Sequence, residues 1–342
     1  MTSRFVVPAG SIATAPPELR GLERDEVRLL VARPEGVQHR QFRDLPDQLS
    51  PGDLVVVNTS ATVSAALDAT RPDGRAVVVH VAGPGKAGTW IVEPRRSGPD
   101  SGARRGLRLA LPGGVQLALC EPYPAPTAPD GSSRLWRAAP TPQVVLLAYL
   151  SAYGRPVAYD YLAAPRPLPD YQTVYADEPG SAEMASAGRP FTAALLVRLI
   201  TRGIRVAPIT LHAGLSSPEL HEPPTPERYQ VPDATAQLVT STRTAGGRVV
   251  AIGTTVVRAL ESATDPDGQT RGARGWTDLV LSPDRPARAV NGLVSGLHTP
   301  EASHLLLLDA VAGPALVDAA YRAAVEERYL WHEFGDSTVL LP

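Results

Sequence analysis

The segment Val249-Val250-Ala251-Ile252-Gly253-Thr254-Thr255-Val256-Val257-Arg258-Ala259-Leu260-Glu261 carries the densest chemistry in the chain. Its apolar start predicts a buried strand, the glycine a tight turn, and the two threonines the beginning of a helix. Backbone N–H groups and hydroxyls then converge at a helix N-terminus suited to a carboxylate or a ribose hydroxyl. Arg258 and Glu261 stand three residues apart on that helix and can pair. Taken alone, the same pattern also fits a capped helix with a surface ion pair.

Histidines form the second set. His212 ends a strand in Leu211-His212-Ala213-Gly214, and His298 and His304 lie in Gly296-Leu297-His298-Thr299-Pro300-Glu301-Ala302-Ser303-His304. Ligands bind at strand ends of α/β sheets, where a histidine can move protons near neutral pH. His212 and His298 are therefore proton-transfer candidates, and His304, on an apolar helix, reads as structural. None of the 7 histidines has HExxH spacing and Cys120 is the sole cysteine, so no metal is expected. Lys86 is the sole lysine and lacks a following Ser or Thr, which argues against P-loop and Schiff-base chemistry and makes Gly83-Pro84-Gly85-Lys86 a turn. Met184-Ala185-Ser186-Ala187-Gly188 lacks the first glycine of a nucleophile elbow.

The 342 residues suffice for about two domains on a prior of ~100–200 residues each. A formal net charge of −2 neither demands nor excludes a nucleic-acid partner. A lone cysteine and the lack of a signal-like apolar start or a long apolar run imply a cytoplasmic protein with no membrane span.

Strand-like runs at Val27–Val31 and, after the turn pair Pro51-Gly52, at Asp53–Val57 open the chain. Short strands such as Ala76–Val81 and Thr89–Val92, separated by Gly, Pro, Arg and Ser, predict an all-β module over 62–145. Helices and strands alternate beyond it: helices at Gln143–Tyr153, Thr192–Arg202, Thr254–Ser262, 301–312 and 314–328, and strands at Ile204–Leu211, Arg248–Gly253 and Thr277–Leu281. The fold class expected is α/β, a discontinuous domain of 1–61 and 146–342 interrupted by a small β-barrel. Proline clusters at 122–129 and 218–232 predict loops.

Seven ordered motifs resemble the S-adenosylmethionine:tRNA ribosyltransferase-isomerase family of queuosine biosynthesis. They are Arg24–Leu30, Leu49–Thr59, Tyr171-Gln172-Thr173-Val174-Tyr175-Ala176, Ala187–Thr192, Thr210–Gly214, Gly253–Glu261 and Gly335-Asp336. The resemblance implies an α/β domain with an inserted barrel. It implies an enzyme that uses S-adenosylmethionine as ribosyl donor and 7-aminomethyl-7-deazaguanine in tRNA as acceptor, giving epoxyqueuosine, adenine and methionine without a metal. It carries donor binding onto Tyr171, Gln172, Thr173, Ser186, Gly188, Phe191, Thr192, Gly214, Gly253, Thr254, Thr255 and Glu261, a carboxylate clamp onto Arg258, and proton transfer onto His212 and His298.

The chain departs from the family pattern where Arg189-Pro190 replaces a Leu-His pair and Gly214-Leu215-Ser216 replaces Gly-Thr-Phe. Glu222–Tyr229 replaces a histidine-rich acidic stretch, and Ser295–Pro300 keeps a histidine and proline but loses an asparagine. Two alternatives follow: the same donor used on a small-molecule acceptor, or a nucleotide-binding protein without catalysis.

Overall fold

The computed structural model describes residues 5–95, 102–124, 133–216, 225–300 and 302–342. In chain order the elements are β1 (Arg28–Arg33), β2 (Gly36–Gln41), β3 (Leu54–Asn58), β4 (Ser60–Thr62), β5 (Ala66–Thr70), β6 (Ala76–Pro84), β7 (Trp90–Arg95), β8 (Arg108–Ala110), β9 (Gln116–Tyr123) and β10 (Leu135–Thr141). Then come α1 (Leu146–Tyr153), β11 (Glu178–Ser181), α2 (Ala193–Thr201), β12 (Arg205–Leu211), β13 (Glu227–Val231), α3 (Asp233–Thr244), β14 (Val249–Ile252) and α4 (Thr254–Ser262). The order ends with β15 (Ala273–Thr277), β16 (Gly292–Gly296), α5 (His304–Ala312), α6 (Pro314–Glu326) and β17 (Ser337–Leu340).

Strands β5 to β10 close into a barrel, and a nine-stranded mixed sheet runs β15-β13-β12-β3-β14-β16-β17-β1-β2. The α/β class with an inserted barrel is thus what the chain adopts. The barrel strands fall between Ala66 and Thr141, inside the 62–145 stretch.

At the centre of the sheet β12, β3, β14 and β16 run parallel. β3 and β14 run apolar without alternation because both faces are covered. Leu54, Val56, Ala207, Ile209, Val249 and Ala251 enter the core shared with α3 to α6, while their neighbours Val55, Val57, Val250 and Ile252 enter a second core with Phe42, Phe191, Leu195 and Leu199. Two helical layers therefore sandwich the sheet.

Several local expectations need correction. β1 forms a hairpin with β2, a strand the sequence pattern did not announce, and lies beside β17, away from β3 in the sheet order. The strand expected at Thr277–Leu281 instead ends at Thr277. Leu279 and Leu281 are buried, but the Leu279 N–H is taken by Thr277 Oγ1 at 3.1 Å, so the apolar pattern reflects burial and not strand pairing. β13 lies within the second proline cluster because Glu227–Val231 itself contains no proline; the rest of both clusters lies largely outside the described residues, as does Glu301. Helix α1 packs Tyr149 and Leu150 into the barrel core and so goes physically with the barrel.

The chain leaves α1 through Gly154. Arg155 and Ala66 exchange two backbone hydrogen bonds of 2.9 Å just after it. A Cβ at Gly154 would overlap the carbonyl oxygens of Ser64 and Leu150, so the close approach of two backbones there requires glycine. Gly154→Ala is expected to lower stability by about 1–3 kcal/mol. Denaturant unfolding checks this, and an unchanged midpoint would mean that the junction yields freely.

Candidate active site

A cavity of about 770 Å³ opens at the carboxyl ends of the parallel strands. Its wall contains Ala213 to Ser216 after β12, Gly253 to Thr255 after β14 and Ser295 to Thr299 at the end of β16. Arg95 from the end of β7 and Tyr159 and Tyr161 add a side from the barrel and its exit. The volume is that of a site for a small molecule or cofactor, placed where open α/β sheets bind ligands.

Gly253 has φ 92, a conformation that favours glycine, and its N–H bonds to Val294 O at 2.8 Å. That turn brings Thr254 and Thr255 onto the wall. Asn58, which the sequence reading left without a role, fixes one of them. Its amide Nδ2 donates to Leu211 O (2.8 Å) and Thr255 Oγ1 (3.2 Å), and its Oδ1 accepts from the N–H groups of Leu211 (3.0 Å) and Ser60 (3.1 Å). Because Thr255 Oγ1 accepts from Asn58, its own hydrogen is left for another partner. The signal in the sequence was a buried asparagine closing an otherwise apolar strand.

Arg258 reaches the wall but is already committed. Its Nη1 pairs with the Glu227 carboxylate, Nε donates to Leu279 O (3.2 Å) and Nη2 to Thr277 O (3.1 Å). The expected pairing with Glu261 is absent, and Arg258 is not a free fork for a ligand carboxylate. Glu227 also accepts the Gly214 N–H at 2.8 Å, so one buried pair joins α4, β13, the loop after β12 and the loop after β15. Burial pushes the Glu227 carboxyl up, and Arg258 and the Gly214 N–H oppose it. Glu261 points elsewhere: it accepts the N–H groups of Arg288, Ala289 and Val290 at 2.8–3.2 Å. It anchors the approach to β16 and does not line the cavity.

His212 is likewise held behind the wall. Its Nε2 meets Arg228 Nη2 at 2.7 Å and its Nδ1 meets Ser60 Oγ at 2.8 Å. A guanidinium can only donate, so Nε2 accepts and the proton sits on Nδ1, continuing through Ser60 to Ser181 Oγ at 2.6 Å. Burial, aided by Arg228, holds the imidazole down at about 4. His212 is thus a neutral linchpin and not an open base.

His298 does line the cavity, with Nε2 at 3.0 Å from Ser295 Oγ and its ring stacked on His304 (4.4 Å, 3°). Burial lowers both imidazoles, His304 to about 4, so both are neutral at pH 7. His304, expected to be structural only, is part of this wall and supports the His298 ring.

Of the remaining candidates, Ser186 and Gly214 line the cavity. Tyr171 and Gln172 instead hold Thr62, through Thr62 Oγ1 to Tyr171 O (2.8 Å) and two Gln172 amide bonds (3.0 and 2.8 Å). Thr173 is buried beside Gly188, where any Cβ would strike the Tyr175 hydroxyl. Phe191 packs edge-on against Phe42 (5.2 Å), and Thr192 caps α2 through the Leu195 N–H (3.1 Å). These motif residues shape the scaffold and lie outside the cavity. Among the described residues no group of His, Cys, Asp and Glu side chains is arranged to hold a metal, and no helix is long and apolar enough to cross a membrane.

A family model described as "Queuosine biosynthesis protein" matches residues 2–340. The S-adenosylmethionine:tRNA ribosyltransferase-isomerase of Symbiobacterium thermophilum is 36% identical over 350 residues, covering 98% of each chain. That of Thermus thermophilus is also 36% identical, over 95% of this chain and 97% of its own. The crystal structure of the S-adenosylmethionine tRNA ribosyltransferase of Thermotoga maritima superposes with a TM-score of 0.54 at 28% identity, covering 98% of this chain and 99% of that one.

Two outcomes are expected from the geometry. Arg258→Ala and Glu227→Ala should each destabilise by about 3–5 kcal/mol by leaving a buried charge alone. The double variant should cost less than their sum, and strict additivity in denaturant unfolding would show that the pair is not coupled. Asn58→Ala should cost about 1–3 kcal/mol by orphaning the Leu211 backbone groups, read as a lowered Tm.

Proposed function

The chain belongs to the queuosine biosynthesis protein family, and from that premise we propose that it transfers and isomerises the ribosyl part of S-adenosylmethionine onto 7-aminomethyl-7-deazaguanine in tRNA. The products are epoxyqueuosine, adenine and methionine. The observation that carries this reading is the roughly ligand-sized cavity at the carboxyl ends of β12, β14 and β16, lined in part by Ala187–Thr192, Thr210–Gly214 and Gly253–Glu261, motifs that resemble the family.

In this reading S-adenosylmethionine is a substrate lying against the start of α4. Thr254 and Thr255 offer hydroxyls to its ribose or carboxylate, and Leu279, Leu281, Leu297 and Leu307 supply apolar surface for the adenine. The sulfonium acidifies the adjacent C–H, so a positioned base suffices for its removal. His298 fits that role: it is neutral, exposed to the cavity and oriented by Ser295 and His304. Arg258 acts by holding Glu227 and the strand-end loops in place. tRNA as the carrier of the acceptor places the reaction in the cytoplasm.

The reading predicts that purified protein incubated with S-adenosylmethionine releases adenine and methionine, followed by mass spectrometry, only when tRNA bearing 7-aminomethyl-7-deazaguanine is present. Release without tRNA would favour a small-molecule acceptor; no release would favour a binding protein. His298→Ala should lower turnover by about 10²–10⁴-fold, while wild-type rates would remove His298 from the mechanism.

A further inference from the structure

One part of the cavity wall has no place in the donor site just described. Glu183 and Glu333 both line it, alongside Tyr159, Tyr161 and His332. The three rings form a stack: Tyr159 on Tyr161 at 6.0 Å, and Tyr161 on His332 at 4.5 Å. The Tyr159 hydroxyl donates to Glu183, which also accepts the Ser216 N–H (3.1 Å) and hydroxyl (2.6 Å). Tyr161 lies near enough to Glu333 to favour its carboxylate form, and Glu333 Oε2 is buried without a hydrogen-bond partner.

A buried carboxylate oxygen with no donor, close enough to a second carboxylate to feel its repulsion, is a costly arrangement unless it takes a proton or a ligand completes it. What would complete it is a compact cation carrying N–H donors, flanked by aromatic faces. We propose that this wall is the subsite for a protonated primary amine, the acceptor of the reaction, and that Glu333 Oε2 takes the proton that the amine must lose before it attacks. The assignment rests on the reading given under Proposed function, whose acceptor is such an amine. In the transfer an N–H bond breaks with its electron pair left on nitrogen, and an O–H bond forms on Oε2. RNH3+ becomes RNH2 as the carboxylate becomes the acid, and the freed lone pair is available for the new C–N bond.

The environment suits that exchange. Burial, reinforced by the charge of Glu183 and opposed by the nearby Tyr161 hydroxyl, pushes the Glu333 carboxyl up to about 8. Against an alkylammonium near ~10.4, an ordinary carboxylate is a poorer base by about six powers of ten, and Glu333 by only about two. The other groups facing it leave this balance in place; Arg95, on the same side of the cavity and 5.6 Å from the Tyr159 ring, is paired with Glu93 at 2.9 Å. Tyr159, Tyr161 and Tyr171 are phenols pushed up by burial, and His332 is lowered by burial and neutral at pH 7. Arg24, Arg189 and Asp336 share a small void with Glu333, but both arginines pair with Glu18 and Asp336 accepts the N–H groups of Arg28 and Leu330.

The sign of the pH dependence follows. Below about 8 Glu333 already holds a proton, so binding of the ammonium at pH 7 must release one to solvent, and acceptor kcat/KM should rise until pH reaches about 8. Calorimetry with free 7-aminomethyl-7-deazaguanine as probe, in buffers of different ionisation enthalpy, should show about one proton released by wild type and none by Glu333→Gln. With tRNA substrate, Glu333→Gln should lose about 10²–10⁴-fold in acceptor kcat/KM together with the rising limb, while its S-adenosylmethionine affinity stays unchanged. Tyr161→Phe removes a hydroxyl that favours the carboxylate and should move the limb to higher pH, a test available even where Glu333→Gln does not fold. Probe binding without proton release, or a Glu333→Gln variant with the wild-type limb and rate, would overturn the subsite. Proton release on probe binding without turnover of the donor would sink the proposed reaction and leave the subsite standing.

Discussion

The architecture around the cavity depends on the buried pair of Arg258 and Glu227. Arg258 is 7% exposed and sits one turn into α4, so its guanidinium can reach backward to β13 and sideways to the carbonyls of Thr277 and Leu279. Glu227 in turn takes the Gly214 N–H. Two side chains therefore fix three connections that leave the sheet at the same edge. Such a pair adds little net stability over an apolar substitute, because desolvation offsets the attraction. Its value is geometric: apolar contacts alone would not set the distance between the loop after β12 and the start of α4.

Asn58 does the corresponding work at the floor. A strand of the central sheet cannot continue into the cavity without exposing unpaired backbone groups. The asparagine resolves this by presenting an acceptor to one N–H of Leu211 and a donor to its carbonyl, imitating one more step of the ladder between β3 and β12. Its remaining amide hydrogen orients Thr255. The sheet thus ends in a side chain, and the space beyond it is left to the ligand.

The large features of the fold were legible because each has a short-range cause. Strands buried on both faces read as unbroken Val and Leu runs, and Gly253 before two threonines announced the turn into α4. Of the motifs similar to the queuosine family, Ala187–Thr192, Thr210–Gly214 and Gly253–Glu261 each put residues on the cavity wall. The roles within it were not legible, because they depend on which partner meets a side chain across the fold. Arg258 and Glu261 share a helix face in sequence, yet Glu227 and the N–H groups of Arg288 to Val290 claim them separately. Nothing local to His212 could tell that Arg228 would occupy its Nε2. Glu333 carried no signal at all: its chemistry arises from burial beside Glu183 and the two tyrosines.

The departures from the family pattern are distributed unevenly over this structure. Arg189 lies behind the cavity, where its guanidinium binds Asp170 O and Glu18 and covers the Phe334 ring at 5.0 Å; it ties the amino-terminal segment to the loop before β11. Arg189 thus stands where the family pattern has leucine, Pro190 where it has histidine, and the guanidinium does not line the cavity. Ser216 is different, since its N–H and hydroxyl fix both oxygens of Glu183. That change alters the wall on which the second carboxylate and the ring stack stand. The start of α4 keeps the motif that resembles the family, and Ser216, a departure from it, stands on the wall that carries Glu183.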